Sequence, residues 1–409
     1  MWPLLRFPAA LTSLSVALLL AAASDASAQA PASITPPASK QRFSTDVRST
    51  VGYASNVAGG GDTLATIRGI EPSDVTYGLG ATLKFQPLTG RTAAFLTAAA
   101  DARRHQRNKT LDGEDYQVSA GVSSQVGPCI GLLAASYARR QSLVEDLALP
   151  IVTNVTEQPL GTASVSCGRG GIIGSVQGSI GKLKNDLKRP GFVDSNTKGG
   201  SVSIGYRNKI FGDISLIGQY SKVGYSNAIA VSQLPVSPRN PDFEQYAVGV
   251  QYARRIGMRL SGTASVLATR LDSDIATSNG VSGNASLSYA ATSRILLRLD
   301  YDRSNQASVL VNTTYLRAQS IKMSANYRLS QRISINASIQ GIHDQYRGGV
   351  PSPLQLRDSK QLAENIGASL KIGRNTQLTI SAAHVVRKAD VKIYDFTSNN
   401  VTLSLTNQF

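Results

Sequence analysis

The chain has little of what soluble enzymes and helical membrane proteins rely on. After Ala23 no apolar run approaches the roughly 20 residues that a membrane-spanning helix needs. Three histidines, two cysteines and one tryptophan are spread over 409 residues. That excludes a cysteine-rich disulfide scaffold and leaves no His/Cys group at metal-ligand spacing. No G-x-S-x-G or comparable nucleophile motif is present. His343 precedes Asp344, but neighbours i and i+1 point to opposite faces of a strand. His105, His343 and His384 therefore read as rim or girdle residues, and neither an enzyme nor a cofactor or metal site is expected. Acidic side chains are scarce as well: 26 Asp and Glu against 42 Lys and Arg leave a net charge of +16.

What is present begins with an export signal. Arg6 gives a positive start, Leu11 to Ala23 an apolar stretch, and Ala26-Ser27-Ala28 a small-residue cleavage site. Residues 1–28 read as a signal peptide, with Gln29 as the mature start and no lipobox cysteine. Residues 29–41, rich in Pro, Ala and Ser, read as a periplasmic leader, and 42–409 as one domain. Export excludes a nucleic-acid partner on grounds of compartment, despite the basic balance.

The domain is patterned with period two. Its last segment, Val401 to Phe409, alternates apolar and polar residues and stops on a phenylalanine. Such a strand has one greasy face that needs lipid or a second layer. Val75, Tyr77, Leu79, Ala81, Leu83 and Phe85 alternate in the same way with polar neighbours. So do Ile321, Met323, Ala325 and Tyr327, and then Ile333, Ile335, Ala337 and Ile339. Strands with one apolar and one polar face are the signature of a transmembrane β-barrel, and Phe409 would be its barrel-assembly signal. Tight turns recur near Pro87-Gly90, Gly127-Pro128, Gly168-Gly171, Asn208-Gly212, Arg255-Gly257, Thr292-Ser293, Ser330-Gln331 and Arg374-Asn375. Longer polar segments lie between them, at 55–72, 142–158, 184–198, 227–242, 303–313, 346–358 and 390–398. A period of about 40 residues then holds two tilted strands, one tight turn and one long loop. The expectation is an all-β, up-and-down antiparallel barrel of 18 strands, with 16 as the alternative, in the outer membrane of a Gram-negative bacterium. Phe43, Tyr53, Tyr77, Phe85, Tyr206, Tyr252, Tyr289 and Tyr327 fall near strand ends, where interfacial aromatic girdles sit.

On that parity Arg48, Lys84, Arg103, Arg139, Arg207, Arg294, Arg298, Lys322, Arg328, Lys371 and Arg387 face the lumen, with Asp46, Asp101, Asp300 and Asp302 among them. A positively biased channel would concentrate anions by its field. The alternatives are that the ladders brace strands, or that rim arginines meet lipopolysaccharide phosphates. Cys129 begins one strand and Cys167 ends the next, so both fall at the short-turn end of one hairpin. In an oxidising compartment they are disulfide candidates.

Val51-Gly52-Tyr53-Ala54-Ser55-Asn56-Val57 is similar to the Gly-Tyr-Asp-Ser-Asn opening of the "Putative beta-barrel porin 2" family of outer-membrane proteins. Ala325-Asn326-Tyr327-Arg328-Leu329-Ser330, followed by Arg332-Ile333-Ser334, resembles that family's strand–turn–strand units. The resemblance implies a role in exopolysaccharide export, as the outer-membrane conduit working with a periplasmic polysaccharide-export protein. An anionic polysaccharide would then be the cargo, and lipid, lipopolysaccharide and the barrel-assembly machinery the surroundings. A general or anion-selective diffusion porin and a surface polysaccharide-attachment barrel are the competing readings. A porin needs a constricting loop, for which 142–158 and 227–242 are long enough. An attachment barrel needs sugar-stacking aromatics in its external loops, where Phe192 and Phe243 are among the few.

Overall fold

The computed structural model describes residues 43–88, 90–143, 153–186, 194–226, 242–273, 277–307, 315–347 and 356–409. The expected signal peptide and leader lie outside the described residues. Eighteen strands make one sheet. The first six are β1 (Phe43–Ala54), β2 (Asp74–Leu88), β3 (Thr92–His105), β4 (Gly113–Val126), β5 (Cys129–Leu143) and β6 (Thr153–Arg169). Next come β7 (Ile172–Asn185), β8 (Asp194–Asn208), β9 (Gly212–Ser226), β10 (Phe243–Ile256), β11 (Leu260–Ser273) and β12 (Thr277–Ala290). The last six are β13 (Ile295–Ala307), β14 (Tyr315–Arg328), β15 (Ile333–Arg347), β16 (Asp358–Lys371), β17 (Thr376–Ala389) and β18 (Phe396–Gln408).

Every strand pairs antiparallel with its sequence neighbours, and β1 pairs with both β2 and β18, so the sheet closes on itself. Closure runs from Asp46 opposite Gln408 to Ala54 opposite Asn400. Reciprocal backbone bonds between Thr45 and Phe409, 3.1 and 2.7 Å, finish the seam. Closure is obligatory for a sheet in lipid, where an unpaired backbone edge has no water to satisfy it. All eight short turns lie where the sequence places them. Gly127 and Gly257 adopt φ of 58° and 61° there, a left-handed region that is costly for residues with a Cβ. At the other end, the sequence reading has no loop between β3 and β4 or between β11 and β12, and several strands run further than the polar segments suggest. Thr153, for instance, already opens β6 inside the expected loop 142–158.

The outer face is apolar with nothing packed on it. Leu133, Ile180, Val202, Leu216, Val248 and Val266 are all more than half exposed, the state of side chains that face acyl chains. Phe43, Tyr53, Tyr77, Phe85, Tyr206, Tyr289 and Tyr327 share this face near strand ends. Cys129 and Cys167 stand directly opposite each other at the short-turn end of β5 and β6 and form a disulfide. Replacing both by alanine should remove about 2–4 kcal/mol of stability, the usual range for a bridge that closes a loop of this length. The check is thermal unfolding by gel heat-modifiability, oxidised against reduced; identical melting of wild type and variant would refute it.

Candidate functional site

Because cross-strand partners share a face, the register fixes the whole lumen lining. At the seam Arg48 faces Thr406, and Thr50 faces Ser404. Around β7 to β9 the inner rows are hydroxyls and amides, with Ser175 opposite Ser203 and Ser201 opposite Gln219. Ser175 bonds Ser203 at 2.8 Å, Ser265 bonds Asn284 at 3.1 Å, and Ser369 bonds Thr379 at 3.0 Å.

Most of the basic residues expected in the lumen are there, and five of them are paired with carboxylates. Arg48 bridges Asp101 at 2.6 Å, Lys84 Asp46 at 3.1 Å and Arg103 Asp115 at 3.5 Å. Arg207 bridges Asp213 at 2.9 Å and Arg298 Asp300 at 2.8 Å, while Lys322 faces Asp300 in register. Arg387 is buried and donates to Ser359 Oγ. Arg328 and Lys371 end their strands at the short-turn mouth. A cavity of about 440 Å³ lies there, lined by Asp46, Arg48, Asp101 and Lys371 among others.

Two placements correct the sequence reading. Arg294 precedes β13 and lies exposed in the turn, not on a strand. Arg139 points outward, opposite Tyr116 at the outer rim, and its neighbour Arg140 reaches the lumen-side Gln117 at 3.0 Å. The cause is the consecutive Leu132-Leu133 and Ala134-Ala135, which hide the parity of β5. Leu133 is exposed and Ala134 buried, so even residues face inward on this strand.

The mouth opposite the short turns is where the structure departs most from a plain tube. The β1–β2 connection, expected as an external loop, folds inward and carries the helix α1 (Asp62–Arg68). Asn56 starts the turn: its Oδ1 accepts the Gly59 N–H at 3.2 Å and its Nδ2 donates to the Gly60 carbonyl at 2.9 Å. Arg68 donates to the Ala58 carbonyl from beneath. Leu64, wholly buried, packs with Leu316, Tyr346, Leu356 and Tyr394. On its other side Ala58, Ala65 and Ile70 pack on Leu111 of the β3–β4 connection. Asn108 locks that side by exchanging bonds with the Glu71 backbone at 2.8 and 3.0 Å. The segment is therefore a cap held at both sides of the mouth.

A second element narrows the same mouth. Pairing of β12 with β13 stops at Gly283–Arg303, whereas β13 stays paired with β14 as far as Ala307–Tyr315. Beyond Arg303 the described ends of β13 and β14 bend inward, against the inner wall. Asn305 donates to Thr269 Oγ1 at 3.1 Å, Ser278 donates to the Tyr315 hydroxyl at 3.0 Å, and Tyr315 packs on Val223, Phe243 and Leu271. Arg303 and Arg317 each keep a buried Nε with no hydrogen-bond partner.

Sequence reasoning missed both elements. The segment that folds into the mouth is 55–73; of 142–158 and 227–242, residues 142–143 and 153–158 belong to strands, and 144–152 and 227–241 lie outside the described residues. A signal for α1 was present: Gly59-Gly60-Gly61-Asp62 before an apolar Leu64/Ala65 and Gly69 after it, the punctuation of a short capped helix. Phe243 is not in an external loop but buried on the inner face, and Phe192 lies outside the described residues. His105 is buried at the mouth, 3.5 Å from Asp112, and His343 bonds Asp358 at 2.8 Å, not Asp344. His384 faces outward and bonds Asn399 at 2.7 Å.

Residues 239–409, which span β10–β18, match the family model described as "Putative beta-barrel porin 2". Among solved structures, the FrpB iron transporter of Neisseria meningitidis (F5-1 variant, apoprotein form) is similar at TM-score 0.51 and 10% identity. The alignment covers 86% of this chain but 62% of FrpB, so the chain spans less than two thirds of that protein's length. OpdL of Pseudomonas aeruginosa aligns at TM-score 0.48 and 11% identity, over 90% of this chain and 98% of its own. At such identities the likeness is one of fold. No curated protein sequence gives a significant match. The fold is that of an outer-membrane β-barrel, and its second half carries the porin-family match.

Leu64→Ala should loosen the cap, because a buried Leu→Ala change removes about 2–5 kcal/mol of packing. Faster protease cleavage within 55–73, with the barrel itself intact on gels, is the expected readout. Unchanged cleavage would mean that other contacts hold the cap.

Proposed function

We propose that the barrel is the outer-membrane conduit of an exopolysaccharide export system. It would receive an extended saccharide chain from a periplasmic export protein and release it when the cap moves aside. The observation that carries this reading is the lumen wall of hydroxyls and amides, with Arg48, Lys84, Arg103, Arg207 and Arg298 locked to carboxylates. A sugar chain exchanges hydrogen bonds with such a wall and its waters at little net cost. Paired charges, in turn, offer a moving polymer no deep trap. Pairing also moves the preferred cargo from strongly acidic towards neutral or weakly charged polymers. No catalytic step belongs to the proposal; transport is passive, and the synthase or periplasmic partner imposes direction.

One observation favours an anion-selective diffusion porin instead. Arg303 and Arg317 form no ion pair among the described residues, and both stand at the narrowed mouth. Planar-bilayer recording separates the two. For a capped conduit, wild type should conduct poorly, replacing 56–72 by a Gly/Ser linker should raise conductance severalfold, and neutral dextrins should then block the current. A wild-type channel that is open and strongly anion-selective, and that loses selectivity in Arg303→Gln/Arg317→Gln, would establish the porin. Undiminished surface polysaccharide in a deletion strain would end the export reading.

A further inference from the structure

On the outer face of β12–β18 a groove of about 940 Å³ crosses the apolar belt. Leu297, Met323, Ile339, Ile366 and Val401 form its sides, and Ala325, Ala337 and Ala382 keep its floor low. Its outer end is polar. Glu364 stands directly opposite His384, and His384 opposite Asn399, with 2.7 Å between His384 Nδ1 and Asn399 Oδ1. The Glu364 carboxylate has no hydrogen bond or ion pair among the described residues. Two outward positions nearer the long-loop end on the same strands, Lys360 and Lys388 face each other directly. Neither lysine is in an ion pair among the described residues. The outward carboxylates two residues further along each strand are engaged elsewhere: Asp358 with His343 at 2.8 Å and Gln345 at 3.3 Å, and Asp390 with the Arg357 N–H at 3.2 Å.

Depth orders these groups. About ten residues of a tilted strand cross the hydrocarbon, and β16 and β17 have their short-turn ends at Lys371 and Thr376. Glu364 and His384 therefore lie in the outer part of the belt, and Lys360 and Lys388 at its outer edge. Both tiers carry a cost in bare lipid: like charges directly opposite repel, and unpaired polar groups facing acyl chains are expensive. A second opposed pair, Lys198 and Lys222, is relieved within the protein, because Glu244 sits 2.8 Å from Lys222. The Lys360–Lys388 pair has no carboxylate within ion-pair distance among the described residues.

We propose that this face binds one outer-leaflet glycolipid with lipid A chemistry: phosphate on Lys360 and Lys388, amide and hydroxyl groups of the acyl linkages on Glu364, His384 and Asn399, and acyl chains in the groove. The vertical order of cation, hydrogen-bonding and apolar tiers matches that amphiphile from headgroup to tail. A plain acidic phospholipid offers the phosphate but fewer donors for the carboxylate tier. The site is independent of the cargo, since it lies on the opposite face of the wall from the lumen.

The test is native mass spectrometry of the delipidated, heat-modifiable barrel. The probes are bis-phosphorylated hexa-acyl lipid A, its dephosphorylated form, and phosphatidylglycerol. Wild type should hold one bis-phosphorylated lipid A and bind the other two far more weakly. Lys360→Ser/Lys388→Ser should weaken binding by about tenfold or more, as losing two interfacial cations implies. Ala382→Trp should block the groove and weaken binding with both lysines present, whereas Lys198→Ser/Lys222→Ser should bind as wild type. Wild-type binding by the Lys360→Ser/Lys388→Ser variant would overturn the proposal. So would equal binding of phosphatidylglycerol, or a stable dimer that cross-links through Ala382→Cys and leaves no room for lipid.

Discussion

The hydrogen-bonded seam between β1 and β18 is the constraint on which everything else depends. A sheet this wide, apolar outside and wet inside, cannot leave either edge unpaired in hydrocarbon. Once Thr45 and Phe409 exchange their backbone bonds, every strand has two neighbours. The two faces of every strand are then assigned without further choice. A slip of one residue anywhere would turn an apolar row into the lumen and a polar row into lipid, so the register is strongly specified.

Closure also decides how charge is handled. Basic residues directed inward meet acidic residues directed inward on the adjacent strand, as Lys84 meets Asp46 and Arg103 meets Asp115. These pairs are solvated and individually worth little. Their effect is collective: they fix side chains against the wall, and the excess of cations behind the net charge of +16 lies outside them. The cations left without carboxylates are therefore the informative ones, among them Arg328 and Lys371 at the short-turn mouth, Arg303 and Arg317 at the opposite mouth, and Lys360 and Lys388 on the outer face.

The barrel was legible because period two is a local signal, repeated on every strand, and because tight turns favour Gly, Asn, Pro, Ser and Thr. The disulfide was legible from hairpin geometry. The lumen was less so. Arg139 was misplaced because Leu132-Leu133 offers two equal phases, and only pairing with β4 chooses between them. The cap was illegible for a different reason. Leu64 is buried by Leu316, Tyr346, Leu356 and Tyr394, which are remote in sequence, and no local pattern announces such partners. The inward bend of β13–β14 has the same character, since Tyr315 finds its apolar neighbours on β9, β10 and β11.

That difference in origin bears on how the molecule can move. The wall is held by backbone ladders that all break together or not at all, so it is a poor place for a gate. The cap is held by one small apolar cluster on each side and a few side-chain bonds such as those of Asn108. Segments with few buried contacts occupy the low end of the local-stability range. The Gly59-Gly60-Gly61 run beside α1 adds backbone freedom at the point where the segment leaves the wall. A structure that places its weakest packing across its outer opening, and its strongest hydrogen bonding around it, can open there without loss of the barrel.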